Sequence, residues 1–297
     1  MRIGLTLNES TGPEPLRDLA DAIAAAHADG FASAWLSNIF GLDAITALAV
    51  AGHATPGIEL GTAVVPTYPR HPAVLAQQAM TANAALGGRL ALGIGLSHRL
   101  VIEDMYGYSF ERPARHMAEY LDILLPAVRG EQVSYQGETL KANIRLTTPG
   151  AGLPVLVAAL APRMLRLAGS RTAGTVLWMT GPKTVAEHVA PAITAAAEEA
   201  GRDRPRIVCM LPVCVTDDPA AARARAEQIF AVYGQLPSYR AMLDREGAAG
   251  PGDVAIVGDE ASVRAQIDEL AEAGVTDFGA AVYSARERTR DLLRSLL

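Results

Sequence analysis

The run GGRLALGIGLSH, residues 87–98, is the first stretch of this sequence whose residue types could do chemistry. Gly93 and Gly95 follow an apolar run, as do the first two glycines of a dinucleotide-binding fingerprint. The third glycine is missing, and no acidic residue stands at the end of a clear second strand. We therefore exclude a dinucleotide site and interpret residues 89–94 as a buried strand that opens onto a polar loop.

The segment ALAPRML, residues 159–165, could do a second kind of chemistry, anion binding at a helix N-terminus. Unpaired backbone N–H groups and the helix dipole both favour an anion at such a position. Pro162 suits the first turn of a helix, and Arg163 adds a positive charge. The alternative is that Arg163 is an ordinary solvated surface residue.

Other reactive combinations are missing from the sequence. Its six histidines and two cysteines form no H-x-x-x-H or Cys–His pattern, so we expect no metal site. Cys209 and Cys214 lie five residues apart in one strand-like run, which places them on opposite faces. This spacing argues against a local disulfide and favours reduced thiols in the cytoplasm.

Composition restricts the class of protein. Half of the 297 residues are hydrophobic, and the formal net charge is −6. We find no basic face for nucleic acid, no apolar run of about 18 residues for a membrane span, and no signal peptide. We expect a single cytoplasmic domain over residues 1–297 with a small molecule as its partner, rather than a nucleic acid or a membrane.

The elements that must position these residues follow from one recurring unit: an amphipathic helix, a glycine and a short apolar strand. Strands that alternate with helices predict parallel pairing, and continuous apolar runs predict strands buried on both faces. Eight such units predict an α/β fold, a (β/α)8 TIM barrel, with a doubly wound sheet as the alternative. The predicted strands are 2–7, 31–37, 58–64, 89–94, 154–159, 174–179, 206–216 and 277–282.

Two further segments lie outside the eight helix–strand units. Residues 131–148 alternate in a strand-like way around Gly137 and predict a hairpin between the fourth and fifth units. Residues 234–259 predict a long, loop-rich excursion before the last helix–strand pair. We expect these insertions at the C-terminal face of the barrel, where barrel enzymes carry their active sites.

Residues 61–98, GTAVVPTYPRHPAVLAQQAMTANAALGGRLALGIGLSH, resemble the core signature of the bacterial luciferase-like superfamily. In that signature a strand ending in G-T-x-V, a loop with H-P and a helix beginning A-x-L-A-x-Q precede G-R-L-x-L-G-I-G. Segments 107–142, 154–185 and 257–278 resemble later parts of the same family. Within it, the chain is most similar to the branch that uses the deazaflavin coenzyme F420.

This resemblance implies an F420-dependent oxidoreductase that transfers a hydride between the deazaflavin ring and a small organic substrate. It also implies a homodimer, because relatives commonly pair through barrel helices. One alternative is a luciferase-like monooxygenase that uses FMN and oxygen. Another is a non-catalytic protein that binds a flavin or deazaflavin.

The resemblance further implies which residues surround the cofactor. A non-prolyl cis peptide bond between Ala63 and Val64 would back the central ring, and the amide of Asn38 would orient the ring edge or the substrate. Asn38 could instead cap a helix or shape a turn. Ile39 departs from the histidine that F420-dependent sugar-phosphate and alcohol dehydrogenases tend to have there, which argues against their chemistry.

The loop after the fourth strand supplies the candidate catalytic group. Gly95 and Ser97 would lie against the cofactor, and His98 stands where sugar-phosphate relatives have a glutamate. A histidine there could transfer a proton near neutral pH or only bind the cofactor.

The loops after the fifth and sixth strands complete the implied site. The segment Leu160, Ala161, Pro162 and Arg163 would hold the cofactor phosphate, with Ala161 in place of the usual glycine. Trp178 and Met179 could wall the ring site, although Trp178 could instead belong to the buried core. Lys183 could bind the cofactor tail or a substrate, or simply begin a helix.

Overall fold

Eight parallel strands close into a barrel in the computed structural model, which describes residues 1–7, 12–150 and 152–297. Each strand pairs with the next along the chain, and the eighth pairs with the first, where Asp277 lies opposite Arg2. The barrel strands are β1 (Arg2–Leu7), β2 (Ser33–Leu36), β3 (Glu59–Thr62), β4 (Leu90–Gly95), β5 (Val155–Ala158), β6 (Gly174–Trp178), β7 (Arg206–Val215) and β8 (Asp277–Val282).

Helices form the outer layer, and most begin with a proline or an acidic N-cap that suits the first helical turn. They are α1 (Pro15–Ala28), α2 (Ala44–Gly52), α3 (Pro72–Ala85), α4 (Pro113–Val128), α5 (Pro162–Arg171), α6 (Pro182–Thr184), α7 (Ala190–Glu199), α8 (Pro219–Gln235), α9 (Pro237–Glu246), α10 (Glu260–Glu272) and α11 (Arg286–Arg294). Short helical turns at Leu100–Met105, Val185–Val189 and Pro251–Val254 and short strands at Val65–Pro66 and Ile256–Gly258 complete the described elements.

The closed barrel confirms the predicted fold class and excludes the doubly wound sheet. All eight predicted strands coincide with barrel strands to within three residues at each end. Apolar side chains fill the barrel interior, since each strand is buried on both faces: Trp35, Ala91, Leu156, Val176, Val208 and Met210. The interior is therefore a packed core, and ligands have access only at its ends.

A hairpin stands apart from the barrel sheet, as the alternation over 131–148 predicts. Its strands, Gln132–Gln136 and Lys141–Arg145, pair antiparallel. Glu119 of α4 holds the turn, because its carboxylate accepts hydrogen bonds from the backbone N–H groups of residues 138–140. The tip also bonds Arg112 through Glu138, next to the start of α4. Because helices of the barrel begin at its C-terminal face, the hairpin tip lies on that side.

The loop-rich prediction for 234–259 is wrong in part. This excursion contains helix α9, which begins at Pro237, ends at Glu246 and is followed by Gly247 in the left-handed conformation (φ 82°). Met242 and Leu243 are buried, and a helix lets both reach the core. The proline and glycine that suggested a loop act instead as the start and stop of a helix.

The opposite, N-terminal end of the barrel is closed by charges. The guanidinium of Arg206 lies 2.7 Å from both Glu59 and Asp277, and Arg2 pairs with the same two carboxylates. The two cysteines are buried and unpaired, as their spacing predicts. Among the described residues, no helix is long and apolar enough to cross a membrane.

Candidate functional site

The C-terminal mouth of the barrel has an apolar floor. Ala63, Val64 and Trp178 are only half-buried and pack on top of the apolar side chains inside the barrel. A cis peptide bond joins Ala63 to Val64, at the position that the family resemblance implies. This floor is the part of the molecule where a flat apolar ring could rest.

The lack of side chains at Gly93 and Gly95 leaves space for the residues of that floor. A Cβ atom at Gly93 would overlap the carbonyl oxygen of Thr62, and one at Gly95 would lie 2.6 Å from Cγ2 of Val64. The hydroxyl of Thr62 also bonds both backbone groups of Gly93. The glycines therefore let β4 pack against residues 62–64, and contact between Gly95 and a cofactor stays a prediction.

Two residues at strand ends adopt the left-handed backbone conformation. Ser97 has φ 61° after β4, and Met179 has φ 53° after β6. Such backbone is uncommon outside glycine and concentrates at binding sites and turns. Ser97 is half-buried at the mouth, whereas Met179 is fully buried in the core. Trp178, rather than Met179, is therefore the residue of this strand end that reaches the mouth.

His98 is half-buried beside the floor. Its ring centre lies 5.5 Å from that of Tyr239, which α9 supplies. Burial lowers the pKa of the His98 imidazole below its usual value. Because the usual value is about 6.5, the ring is neutral at pH 7 and can accept a proton. This is the state that a general base needs.

An aromatic wall, defined here as Tyr239, Tyr233, Trp178 and Phe230, continues from His98 along α9 and α8. Tyr239 meets Tyr233 at 5.2 Å and Tyr233 meets Trp178 at 5.7 Å between ring centres, both edge to face. Edge-to-face packing is a favoured aromatic geometry. The sequence analysis missed the three residues from α8 and α9, because it interpreted part of this region as loop.

Tyr68 is a second group that the sequence analysis missed. Its hydroxyl is buried and has no hydrogen-bond partner among the described residues, while its ring stacks 3.9 Å from that of His116. Burial raises the pKa of Tyr68 to about 12, so the hydroxyl stays protonated. A buried, protonated and unpaired hydroxyl in the loop that follows the cis peptide bond is suited to donate to a ligand.

Asn38 follows β2, and half of its amide already has a structural role. Its Oδ1 accepts a hydrogen bond from the backbone N–H of Ala44 at 3.0 Å, next to the N-cap Asp43. Asn38 therefore binds the first residue of α2, although Asp43 is the N-cap of that helix. The Nδ2 group of the same amide is available to donate a hydrogen bond to a ligand.

The first turn of α5 is open to an anion. Ala161 is the N-cap and has no side-chain cap, and it is exposed together with Pro162 and Arg163. The carbonyl oxygen of Leu160 lies 2.7 Å from Nε2 of His188, which holds the segment against the next helix. The described part of the chain gives Arg163 no carboxylate partner, so its charge is free to meet a phosphate.

The start of α6, which follows β6, already binds a carboxylate of the protein itself. The Glu246 carboxylate of α9 accepts hydrogen bonds from the backbone N–H groups of Lys183 and Thr184 at 3.1 and 2.7 Å, and from the Thr184 hydroxyl. Lys183 itself is exposed. These backbone N–H groups already bind a carboxylate of the protein, so they are not open to a cofactor phosphate. Lys183 thus stands at an occupied helix start, unlike the open one at α5.

Barrels often bind phosphate after β7 and β8, and in this region Arg288 is already bound by two carboxylates of the protein. These carboxylates belong to Asp217 and Glu260. An added anion would meet these carboxylates. No group of three or more histidine, cysteine, aspartate or glutamate side chains in the described ranges could hold a metal ion.

The fold is a closed (β/α)8 barrel with an apolar floor and a cis peptide bond at its C-terminal mouth. A family model described as luciferase-like monooxygenase matches residues 2–277. The chain therefore belongs to the luciferase-like monooxygenase family.

Relatives in this family include F420-dependent enzymes. The 5,10-methylenetetrahydromethanopterin reductase of Methanolobus tindarius is 27% identical, over 89% of this chain and 90% of that protein. The F420-dependent glucose-6-phosphate dehydrogenase of Rhodococcus hoagii is 29% identical, over 75% of this chain and 71% of that protein. The coenzyme F420-dependent tetrahydromethanopterin reductase of Methanopyrus kandleri has the same fold, with a TM-score of 0.81 over 99% of this chain and 96% of that chain, at 23% identity.

Proposed function

We propose that this protein is an F420-dependent oxidoreductase that transfers a hydride between the deazaflavin ring and a small organic substrate. The observation that carries the proposal is the pairing of an apolar floor at the Ala63–Val64 cis peptide bond with an open helix start at Ala161. A ring and a phosphate on one ligand need such a pair of features. The F420-dependent relatives supply the identity of that ligand.

The residues of the mouth fit this cofactor. The floor is apolar and half-buried, and the buried hydroxyl of Tyr68 lacks a partner among the described residues. Unpaired N–H groups at the start of α5 and the Arg163 charge would hold the phosphate. The Arg288–Asp217 ion pair after β7 and β8 and the Glu246 carboxylate at α6 occupy two other anion-binding positions with groups of the protein, which supports α5 as the phosphate site.

When bound, the deazaflavin supplies the hydride chemistry, and the protein contributes binding, orientation and proton transfer. Ala63 and Val64 would support one face of the ring. His98, neutral at pH 7, would accept a proton from the substrate in the oxidising direction and return it in the reducing direction. Tyr68 and the Nδ2 group of Asn38 are donors that would orient polar atoms at the ring or the substrate.

Equilibrium titration tests this function directly. Purified protein is titrated with F420 and, separately, with FMN, and binding is followed by the fluorescence of each cofactor. We expect tighter binding of F420. Tighter binding of FMN would replace the proposal with the flavin monooxygenase alternative. If the protein binds neither cofactor, both the proposal and the flavin monooxygenase alternative fail.

Catalysis is tested separately from binding. Protein with oxidised F420 is mixed with candidate alcohols, and protein with reduced F420 is mixed with candidate ketones. The absorbance of oxidised F420 should fall in the first assay and rise in the second. Turnover with any of them supports the oxidoreductase. Tight F420 binding without turnover over a broad substrate panel would favour the non-catalytic alternative.

A further inference from the structure

A cavity of about 480 Å³ opens beside the mouth, between the loop that follows β2 and the loop at residues 69–70. Asn38 lines it and thereby connects it to the proposed ring site. This volume lies within the range of about 300–1,000 Å³ that small-molecule pockets occupy. Neither the floor nor the anion site at α5 uses this space.

The rim of this cavity is apolar and exposed. Ile39 is 53% exposed, Phe40 63% and Tyr106 42%, and all three line the cavity. Met105, beside Tyr106, is 56% exposed. Large apolar side chains gathered in the open next to a ligand site mark a surface that a ligand covers.

The charged groups of the cavity are already neutralised. Arg70 pairs with Asp43 at 2.6 Å. The same carboxylate accepts hydrogen bonds from the backbone N–H of Thr46 and from the Gln78 amide, both at 2.9 Å. The cavity thus offers no unpaired positive charge among its lining residues to attract an anionic substrate. The cavity therefore favours a neutral ligand, with the Asn38 Nδ2 group as a hydrogen-bond donor.

We infer that this cavity is a substrate subsite for the ring system of a neutral, apolar carbonyl compound or the corresponding alcohol. The inference rests on the proposed function and names its substrate class. Phe40 and Tyr106 offer aromatic faces, and aromatic pairs gain more than their buried area alone supplies. Ile39 adds apolar surface at the rim.

The test measures the binding of four probes to the protein with and without F420 by isothermal titration. The probes are 2-acetonaphthone (two fused rings), 2-dodecanone (an alkyl chain with the same number of carbons), 2-naphthoate (a charged bicyclic acid) and 2-butanone. We expect 2-acetonaphthone to bind at least tenfold more tightly than each of the others. Tighter binding of 2-dodecanone or of 2-naphthoate, or equal binding of all four, would overturn the inference.

Variants place the binding in the cavity. Phe40→Ser should weaken 2-acetonaphthone about tenfold, and Phe40→Leu should weaken it less while it removes the preference for rings over the alkyl chain. Val50→Ser is the matched control, because Val50 is 59% exposed on α2 and does not line the cavity. Unchanged 2-acetonaphthone binding in Phe40→Ser would overturn the inference.

The F420 titration of the same variants separates this inference from the proposed function. All three variants should bind F420 as the unaltered protein does, since none changes the floor or the anion site. If the unaltered protein fails to bind F420, the proposed function fails. The probe affinities of the cofactor-free protein still decide whether the cavity selects neutral rings.

Discussion

At the scale of single residues, the mouth combines groups held in unusual states. His98 is neutral because it is half-buried, Tyr68 keeps a buried hydroxyl without a partner among the described residues, and Ser97 has a left-handed backbone. Each state lowers the free energy of unfolding, and favourable packing of the surrounding residues must compensate for it. Such costs are usual at sites that bind or react, and they give separate handles for mutation.

Replacement of His98 should affect turnover more than binding. His98→Ala removes the proposed proton acceptor, so we expect kcat to fall by about 10²–10⁴-fold while the F420 dissociation constant stays near that of the unaltered protein. The pH profile gives an independent readout. Since burial lowers the His98 pKa, kcat/KM for alcohol oxidation, in which His98 accepts the proton, should fall as the pH drops through a value below about 6.5. His98→Gln should abolish this limb. His27→Gln, an exposed histidine on α1, is the control. An unchanged acidic limb in His98→Gln would remove His98 as the base.

Replacement of Arg163 should affect binding of the cofactor. A well-formed charge-assisted contact contributes about 1.5–3 kcal/mol, so Arg163→Ala should weaken F420 binding by about one to two factors of ten at low salt. Ala161→Asp should weaken it further, because it adds an anion next to the phosphate. Arg166→Ala, an exposed arginine one turn further along α5, is the matched control. Equal affinities for Arg163→Ala and Arg166→Ala would leave only the backbone amides as phosphate ligands.

At the scale of elements, the segments between strands build the site's walls. Helix α9 places Tyr239 beside His98, and its last residue, Glu246, fixes the helix to the start of α6. Apolar runs in the sequence predict the barrel strands because both faces of each strand are buried. Glu246 and Thr184 lie 62 positions apart in the chain, so no local sequence pattern predicts their contact.

The same reasoning explains what the sequence predicts of the site. The cis peptide bond at Ala63–Val64 is predicted through family resemblance, and the open helix start at Pro162 through the chemistry of helix ends. Tyr68 and Tyr239 gain their roles from burial and from packing between distant elements. Their residue types alone do not distinguish them from the other tyrosines of the chain.

Loss of the Glu246 carboxylate should loosen α9. Glu246→Ala leaves two backbone N–H groups without their acceptor, while the Thr184 hydroxyl keeps the Met242 carbonyl oxygen. We therefore expect a loss of about 1–2 kcal/mol in the free energy of unfolding. Asp244→Ala on the same helix removes only an exposed ion pair with Arg240 and should cost less than about 0.5 kcal/mol. Denaturant unfolding followed by circular dichroism measures both. Equal losses would mean that Glu246 does not anchor the helix.

The hairpin should depend on pH through Glu119. Hydrogen bonds from the backbone N–H groups and the hydroxyl of the hairpin turn lower the pKa of the Glu119 carboxyl to about 2. Its stabilisation is thus complete above the ordinary pKa of about 4.5 and is lost as the pH falls toward 2. Glu119→Gln should cost about 2 kcal/mol at pH 7 and little at pH 2, whereas exposed Glu111→Gln should cost little at either pH. A cost for Glu119→Gln that is independent of pH would contradict this role.

At the scale of the whole molecule, the two ends of the barrel have separate tasks. The N-terminal end is closed by the Arg206 ion network, and the C-terminal end carries the floor, His98 and the open helix start. This division is usual for the fold, in which one face serves stability and the other chemistry. It lets variants at the mouth be compared without loss of the barrel.

The protein should be a homodimer. The family resemblance implies pairing through barrel helices, and the outer helices here are rich in alanine, which permits close packing. Exposed Val50 and Val74 on α2 and α3 add apolar surface to that layer. Light scattering at micromolar concentration should give twice the chain mass. A monomer mass at that concentration would contradict the prediction.

A crystal structure of the protein with F420 tests the central claim most directly, because it locates both ends of the cofactor at once. The account predicts the deazaflavin ring against Ala63 and Val64, with His98 beside it, and the phosphate at the first turn of α5 near Arg163. A ring elsewhere, or a phosphate at the start of α6 in place of the Glu246 carboxylate, would contradict it.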